Sequence, residues 1–171
     1  MTDLIEFDPV DDLAAGAFGQ PGQRVFVIQA RKGEAVLSVL VEKEQVRLLA
    51  AEANQFLDRL AEDDPEEPSS AITPGIVTQD EPLFRARLIG IGYDAERHLV
   101  LLELREAAVE DDDAPPEPDE SEGRIARLYA TRPQVRAMAR HGVAAVEAGR
   151  PHCPLCDFPM DPDGHICPRW N

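Results

Sequence analysis

The stretch RIARLYATRPQVRAMARHGVAAVEAGRP, residues 124–151, contains a complete strand-to-helix unit. Residues 124–130 are predicted to form a strand, and the TRPQ that follows has the composition of a capping box. In such a box the hydroxyl of Thr131 accepts from the amide of Gln134, whose side chain reaches back to the start of the helix. Gly149, in the left-handed conformation, is expected to end the helix. The predicted buried face of this helix consists of Val135, Met138, Ala139, Gly142 and Val146.

Residues 36–60 predict a second unit of the same kind. The run VLSVLV at 36–41 is nearly all apolar, which is typical of a strand covered on both faces. From residue 43 to residue 60, apolar side chains recur at steps of three and four, the period of an amphipathic helix. Residues 43–50 share with residues 132–139 the pattern basic-x-Gln-Val-Arg-x-x-Ala. This shared pattern predicts two similar strand-to-helix units. It arises either from an internal duplication or from the repeated use of the same residue types at helix starts.

The remaining β-rich runs complete the predicted sheet. Residues 24–30 pair with 35–41 in a first hairpin, and residues 83–93 pair with 98–107 in a second. Residues 1–22 are predicted to be mostly loop, because glycine and proline punctuate them. The sequence therefore predicts an α+β fold with a mainly antiparallel sheet of about five strands and two helices, arranged in two strand-to-helix units. A C-terminal tail resembling a zinc knuckle is added to it.

Charge divides the chain into segments. The 171 residues carry a formal net charge of −16, which disfavours generic binding to nucleic acid or to an anionic membrane. Residues 106–122 hold nine acids and no base, whereas residues 123–150 hold six arginines and one acid. This composition predicts flexible acidic segments near residues 62–80 and 107–122, within an α+β body formed by residues 1–149.

The metal-binding tail is predicted to be residues 150–171, which hold all three cysteines of the chain. Cys153 and Cys156 form a C-x2-C pair, and His165 and Cys167 return to it after a turn. Three thiolates and one imidazole at this spacing are typical of a closed, tetrahedral Zn²⁺ site with a structural role. The competing hypotheses are a redox pair formed by Cys153 and Cys156, or cysteines without a ligand. The prolines of the tail argue against the helix N-terminus at which a redox pair normally lies.

The chain is predicted to be cytoplasmic and not to associate with a membrane. No apolar run approaches the roughly 20 residues that span a bilayer. The first residues, MTDLIEFDPVDD, lack the basic and apolar regions of a signal peptide. In a reducing compartment, clustered cysteines are more often thiolate ligands than a disulfide framework.

Five arginines form a predicted anion-binding or partner-binding surface, which we call the arginine stripe. Arg132, Arg136 and Arg140 are four residues apart and fall on one line of the second helix. This line lies beside the apolar face, where solvent is expected to reach it. Arg124 and Arg127, on the preceding strand, extend the stripe. The alternative is an ordinary solvated helix flank.

The acidic residues 106–122 come immediately before the arginine stripe. One hypothesis is that they fold over it as an internal competitor for anions. Deletion of residues 108–121 should then increase binding to polyanions at low salt, and unchanged binding would count against the hypothesis.

Three segments of the chain have the pattern of a known family: GQPGQR at residues 19–24, EKxQV at residues 42–46, and CPLC…DPxGHxCPRxN from residue 153 onward. On these segments the chain resembles an actinobacterial family of uncharacterised proteins, a domain of unknown function of similar length. The resemblance implies a shared fold and a shared metal site. It implies no activity.

The sequence favours a function without catalysis. The first prediction is a zinc-binding protein-interaction or adaptor module with a protein partner. The alternative is a nucleic-acid, nucleotide or phosphate binder that uses the arginine stripe, although the net charge disfavours nucleic acid. A metal-dependent hydrolase or a thiol redox protein is a third hypothesis, but the predicted site has no open metal position and no catalytic residues stand out. Enzymatic activity is therefore left open.

Overall fold

The strands of the protein form one mixed sheet. A computed structural model describes residues 3–65, 80–106, 123–161 and 164–170. The elements within these residues are β1 (Leu4–Phe7), β2 (Asp12–Phe18), β3 (Val25–Lys32), β4 (Ala35–Val41), α1 (Lys43–Asp63), β5 (Phe84–Asp94), β6 (Leu99–Glu106), β7 (Ile125–Ala130) and α2 (Arg132–Glu147). The strand order is β1-β7-β6-β5-β4-β3-β2. The pairs β1–β7 and β4–β5 are parallel, and the others are antiparallel.

The prediction of a mainly antiparallel sheet of five strands is wrong, although the fold is α+β. The described sheet is mixed and has seven strands, of which β1 and β2 lie in residues that the sequence predicts to be loop. The small side chains of β2, DLAAGAF, have low strand propensity. They are tolerated because α2 packs against β2, where Leu13, Ala14 and Ala15 are buried. The parallel pairs join segments that are distant in the chain, so no local pattern indicates them.

A short connection brings the two edges of the sheet together. β1 and β2 lie at opposite ends of the strand order, yet only residues 8–11 separate them. The N–H of Val10 donates to the carbonyl of Tyr129 on β7 at 2.8 Å. The N–H of Asp11 donates to the carbonyl of Arg31 on β3, also at 2.8 Å. The sheet therefore curves enough for four residues to join its two edge strands.

The fold consists of two similar units, β1 to β4 with α1 and β5 to β7 with α2. In the second unit, β5 pairs with β4 in parallel at its start and with β6 in antiparallel fashion after a bulge between Ala86 and Leu88. In the first unit, β1 pairs in parallel with β7, and β2 pairs in antiparallel fashion with β3, on either side of residues 8–11. In both units the last strand leads directly into the helix. This correspondence supports the hypothesis of an internal duplication.

Equivalent glutamines join each helix to the other unit. Gln45 in α1 and Gln134 in α2 each accept, through Oε1, a 2.8 Å hydrogen bond from the N–H of the residue that precedes the helix. Their Nε2 atoms donate to backbone carbonyls of the other unit. Each of these carbonyls lies where the start of that unit passes from pairing with one strand to pairing with another. Gln45 donates to Ala86 at 3.2 Å, and Gln134 donates to Asp11 at 3.0 Å. The glutamine shared by the two helix starts thus makes the same two kinds of bond in both units.

The two ends of α2 differ in how well the sequence predicts them. The capping box at its start is confirmed, because Thr131 Oγ1 accepts from the N–H of Gln134 at 3.3 Å. Gly149 directly follows the C-cap Ala148, where the helix ends as predicted, but the predicted left-handed conformation is wrong because the φ of Gly149 is not in that region. Arg24, from the body, donates at 2.5 Å to a carbonyl in the last turn of α2. A long-range arginine therefore supplies a partner to a carbonyl near the helix end.

The two helices pack on each other and on the sheet at a glycine. A Cβ atom at Gly142 of α2 would lie 2.9 Å from Cγ1 of Val46 in α1 and 3.4 Å from Cβ of Ala15 in β2. Both of these neighbours are buried. Only a residue without a side chain permits so close an approach. The prediction that Gly142 lies on the buried face of its helix is confirmed.

Candidate metal centre

The first half of the tail is a small hairpin that presents the C-x2-C pair. The N–H of Met160 donates to the carbonyl of Pro151 at 2.8 Å, and the N–H of Cys153 donates to the carbonyl of Phe158 at 2.9 Å. Asp157 turns the chain with a left-handed φ of 61°, and its N–H donates to the carbonyl of Cys153 at 2.8 Å. These bonds hold the first two sulfurs in a tight turn.

A second turn returns the other two candidate ligands to the first pair. A bridge pairs Asp161 with Gly164, and the N–H of Gly164 donates to the carbonyl of Asp161 at 2.9 Å. The φ of Gly164 is 97°, in the region that favours glycine. The predicted return in DPDG is confirmed at its two ends, while residues 162–163 lie outside the described residues. His165 and Cys167 follow at once.

The four predicted ligands come together in one cluster. Cys153, Cys156, His165 and Cys167 each offer one ligand atom, and these four atoms all lie within 4.8 Å of one another. The sulfurs of Cys153 and Cys167 are 3.9 Å apart, and the sulfur of Cys156 is 3.3 Å from Nε2 of His165. Around a tetrahedral Zn²⁺ the expected separations are about 3.8 Å for two sulfurs and about 3.6 Å for sulfur and nitrogen. The cluster therefore fits a single metal ion.

The close packing of the thiols also favours a bound cation. The backbone amides of Leu155 and Cys156 hydrogen-bond the sulfur of Cys153 and lower its pKa. Burial is the main cause that raises the pKa of Cys156, and the neighbouring thiols of Cys153 and Cys167 raise that pKa further. Several thiolates in so small a volume repel one another until a divalent cation joins them.

The competing hypotheses for the tail fit this geometry less well. A disulfide requires two sulfurs about 2.05 Å apart, and the three cysteines are all free. The sulfurs of Cys153 and Cys156 lie in turns and not at the start of an α-helix, where a redox pair would gain its low pKa. His152, the other histidine of the tail, stays outside the cluster because its Nδ1 lies 2.9 Å from the carbonyl oxygen of Asp157.

Comparison with known proteins gives a family and no activity. Residues 5–167 match the model of a family described as "Protein of unknown function (DUF3090)". The chain belongs to this family. The prediction of a family of unknown function is thereby confirmed, and all four residues of the cluster lie within the matched part. No curated protein and no solved structure matches the chain.

The helices of this DUF3090 protein bear on membrane association. Among the described residues, neither helix combines the length and the apolar character that crossing a membrane requires.

The arginine stripe is largely neutralised by carboxylates of the same chain. Arg124 pairs with Glu106 at 2.9 Å, Arg127 with Glu103 at 2.8 Å, and Arg136 with Asp58 at 3.0 Å. The hydrogen bonds to these carboxylates lower the pKa values of Glu106 and Glu103. Arg140 is exposed. Anion binding by the stripe stays a prediction, and the pairing leaves less free positive charge than the sequence suggests.

Arg132 departs most from its expected position. The sequence places it on a solvent-accessible line, but only 6% of its side chain is exposed. Its guanidinium lies over the ring of Tyr93, 5.0 Å from the centroid, and donates to the carbonyl of Asp64 at 2.6 Å. The first turn of α2 is covered by the end of α1 and by β5, which a helical pattern alone does not indicate. The hypothesis that an acidic segment covers the stripe concerns residues outside the described ones, apart from Glu106.

A polar cluster forms around Asp64, and no pattern in the sequence predicts it. Oδ2 of Asp64 accepts from the hydroxyl of Tyr93 at 3.2 Å and lies 3.0 Å from Nδ1 of His98, and its carboxylate also pairs with Arg132. Desolvation acts to raise the pKa of Asp64, but the bond from Tyr93, the charge of Arg132 and the bonds from His98 and Arg132 together lower it. Asp64, the hairpin residues Tyr93 and His98, and Arg132 come from three distant segments of the chain, so no local spacing predicts the cluster. The cluster ties the end of α1 to the start of α2.

Proposed function

We propose that this DUF3090 protein is a protein-interaction module whose Cys3His cluster binds Zn²⁺ in a structural role. Thiolate and imidazole ligands favour zinc over Mg²⁺ and Ca²⁺, which prefer oxygen. Four protein ligands complete a tetrahedral coordination shell and leave no position for a substrate or a reactive water. The donor set and its distances support this role and give no support to hydrolysis at the metal.

The observation that carries the interaction hypothesis is the apolar surface of the tail. Four large apolar side chains of the tail are exposed: Leu155 by 52%, Phe158 by 60%, Ile166 by 97% and Trp170 by 80%. Among the described residues, the much longer body exposes only five, namely Leu4, Val36, Leu48, Leu83 and Leu88. Apolar side chains gathered on one small element are typical of protein-binding surfaces, to which aromatic residues contribute most of the binding energy.

A bound metal would hold this surface in shape. The buried residues of the described tail are Cys153 and Cys167, so the sulfurs take the place of an apolar core. In such elements the free energy of metal binding becomes free energy of folding. Loss of the metal should therefore disperse the apolar side chains and weaken any interaction that depends on their arrangement.

Affinity purification from the native host with four forms of the full chain tests the interaction. The forms are the wild type, Ile166→Ala with Trp170→Ala, Cys153→Ser with Cys156→Ser, and the control Leu48→Ala. Leu48 lies on α1 and is 63% exposed, so the control removes a comparable side chain from the body. We expect the wild type and the control to retain the same partners and both tail variants to lose them. Identical partners in all four forms would remove the basis for an interaction role of the tail.

Metal analysis tests zinc separately from the partner. We expect one tightly held zinc in the wild type and in the Ile166→Ala, Trp170→Ala form, because these two side chains are exposed and are not among the four ligands. The Cys153→Ser, Cys156→Ser form should hold none. A wild type that contains no zinc and has three freely reactive thiols would contradict the metal assignment while leaving the interaction question to the purification.

A further inference from the structure

A basic cleft lies between the body and the tail, away from the metal cluster. It has a volume of about 430 Å³, a size common for small-molecule sites. Its walls come from the turn between β2 and β3, the start of α1, the start of β5 and the beginning of the tail. The charged side chains that line it are Arg24, Glu42, Lys43, Arg85 and Arg150.

The charge of this cleft is opposite to that of the whole protein. Four cationic side chains against the single carboxylate of Glu42 leave its lining with a formal charge of +3, or +2 when Asp161, the partner of Arg150, is counted, whereas the chain carries −16. Like charges placed close together are costly unless an anion offsets them. Such a concentration of positive charge in an acidic protein, inside a concave site, favours an anionic ligand.

Two of the arginines are held in place by the structure around them. The guanidinium of Arg24 lies 5.3 Å from the ring centroid of Phe26, in addition to its bond to the end of α2. Arg150 donates to Asp161 at 2.6 Å. Its guanidinium packs on Gly22, where a Cβ atom would lie only 3.3 Å from Cζ of the arginine. Positioned donors lose little conformational entropy when a ligand binds.

Lys43 is the cation that a ligand could engage most freely. Arg85 already pairs with Glu42, and Arg150 with Asp161. In the part of the chain that the structure describes, no carboxylate pairs with Lys43. Its ammonium is directed toward the tail side of the cleft, 3.5 Å from the position that a Cβ atom on Gly149 would take.

We propose that this cleft binds a phosphorylated small molecule. A phosphate group carries up to two negative charges and presents several acceptor oxygens, which suits a cleft lined by guanidinium and ammonium groups. A single carboxylate would offset only part of the charge. The lining also includes Phe26 and Val41, which offer apolar contact to the remainder of the ligand. This site is separate from the arginine stripe and independent of the proposed protein partner.

Titration of the zinc-loaded full chain with inorganic pyrophosphate tests the proposal. The informative variant is Lys43→Gln, and the matched control is Arg140→Gln, which removes one exposed positive charge from the arginine stripe on α2. We expect Lys43→Gln to weaken pyrophosphate binding about tenfold or more, the usual effect of losing one charge-assisted contact. Arg140→Gln should leave the affinity within about twofold of the wild type. Equal thermal stability of the two variants would show that both are folded.

Amide chemical shifts of the wild type provide a second measurement that needs no variant. Pyrophosphate should shift the amides of Gly22, Lys43 and Arg150 and leave those around Arg140 unchanged. Three results would overturn the proposal: no binding at millimolar pyrophosphate, the same loss of affinity in both variants, or shifts centred on Arg140. The last result would mean that the arginine stripe, and not the cleft, binds the anion.

Discussion

The body buries most of its large apolar side chains, whereas the tail exposes them. Val39 on β4 and Ile166 in the tail are both β-branched aliphatic residues, yet the first is 0% and the second 97% exposed. In the body, apolar burial is the main source of stability. In the tail, the groups removed from water are the sulfurs of Cys153 and Cys167. Where metal ligands hold an element together, its apolar side chains are available for contact with another molecule.

Removal of the proposed zinc should have the largest effect, and only on the tail. A structural zinc of this type contributes about 10 kcal/mol or more to the folding of the element that it holds. We expect a chelator, or Cys153→Ser, to make the tail sensitive to protease while the thermal unfolding of the body stays nearly unchanged. Limited proteolysis with mass spectrometry and a thermal melt measure the two regions separately. If the body unfolded together with the tail, the proposed division between them would be wrong.

Gly142→Ala should destabilise the body and leave the tail unchanged. The new methyl group would meet Val46 at 2.9 Å, and overpacking of this kind costs about 1–3 kcal/mol, less the small gain in helix propensity. We expect a lower free energy of unfolding for the body in urea and an unchanged affinity for zinc. Gly90→Ala is the control, because a Cβ atom there has no neighbour within 4 Å. Equal stability of the two variants would mean that α2 can move away from α1 at little cost.

The Asp64 cluster should give the smallest effect, visible as a pH dependence of the body. The lowered pKa of Asp64 means that the folded state favours its ionised form. Its stabilisation is therefore present above the unfolded pKa of about 3.9 and is lost as the pH falls through the folded pKa. Asp64→Asn should be less stable than the wild type at pH 7, and this difference should shrink toward pH 3. The neighbouring Asp63→Asn is the control.

Urea unfolding of both variants at the two pH values measures this dependence. Loss of the proposed zinc at low pH should be the same in all forms, so it cancels in the difference between variants. A difference between Asp64→Asn and the wild type that is the same at pH 7 and pH 3 would show that ionisation of Asp64 does not stabilise the fold.

The sequence predicts what short-range chemistry determines. The capping box at Thr131 and Gln134 depends on residues three positions apart, and the metal cluster depends on two turns within the tail. Both are found where the spacing places them. The pairing of β3 with β4 and the apolar faces of both helices follow equally from local periodicity.

Features that depend on distant contacts could not be predicted in this way. β2 is a strand because α2 covers its small residues, and β1 is a strand because β7 pairs with it in parallel. Arg132 is buried because Tyr93 and Asp64 come to it from other elements. The basic cleft gathers side chains from four separate segments. In each case the deciding neighbour lies dozens of residues away, beyond the reach of any local pattern.

The connection between β6 and β7 has a consequence for insertion tolerance. The N–H of Glu106 donates to the carbonyl of Arg124 at 2.9 Å, so the chain leaves the sheet before residue 107 and re-enters it after residue 122 at one point. The equivalent strands of the first unit, β3 and β4, are joined by residues 33–34 alone. Each doubling of a closed loop costs only about 0.6 kcal/mol. This corner can therefore gain, lose or exchange sequence while the strands keep their register, and it is the natural place to graft a foreign peptide or an affinity tag.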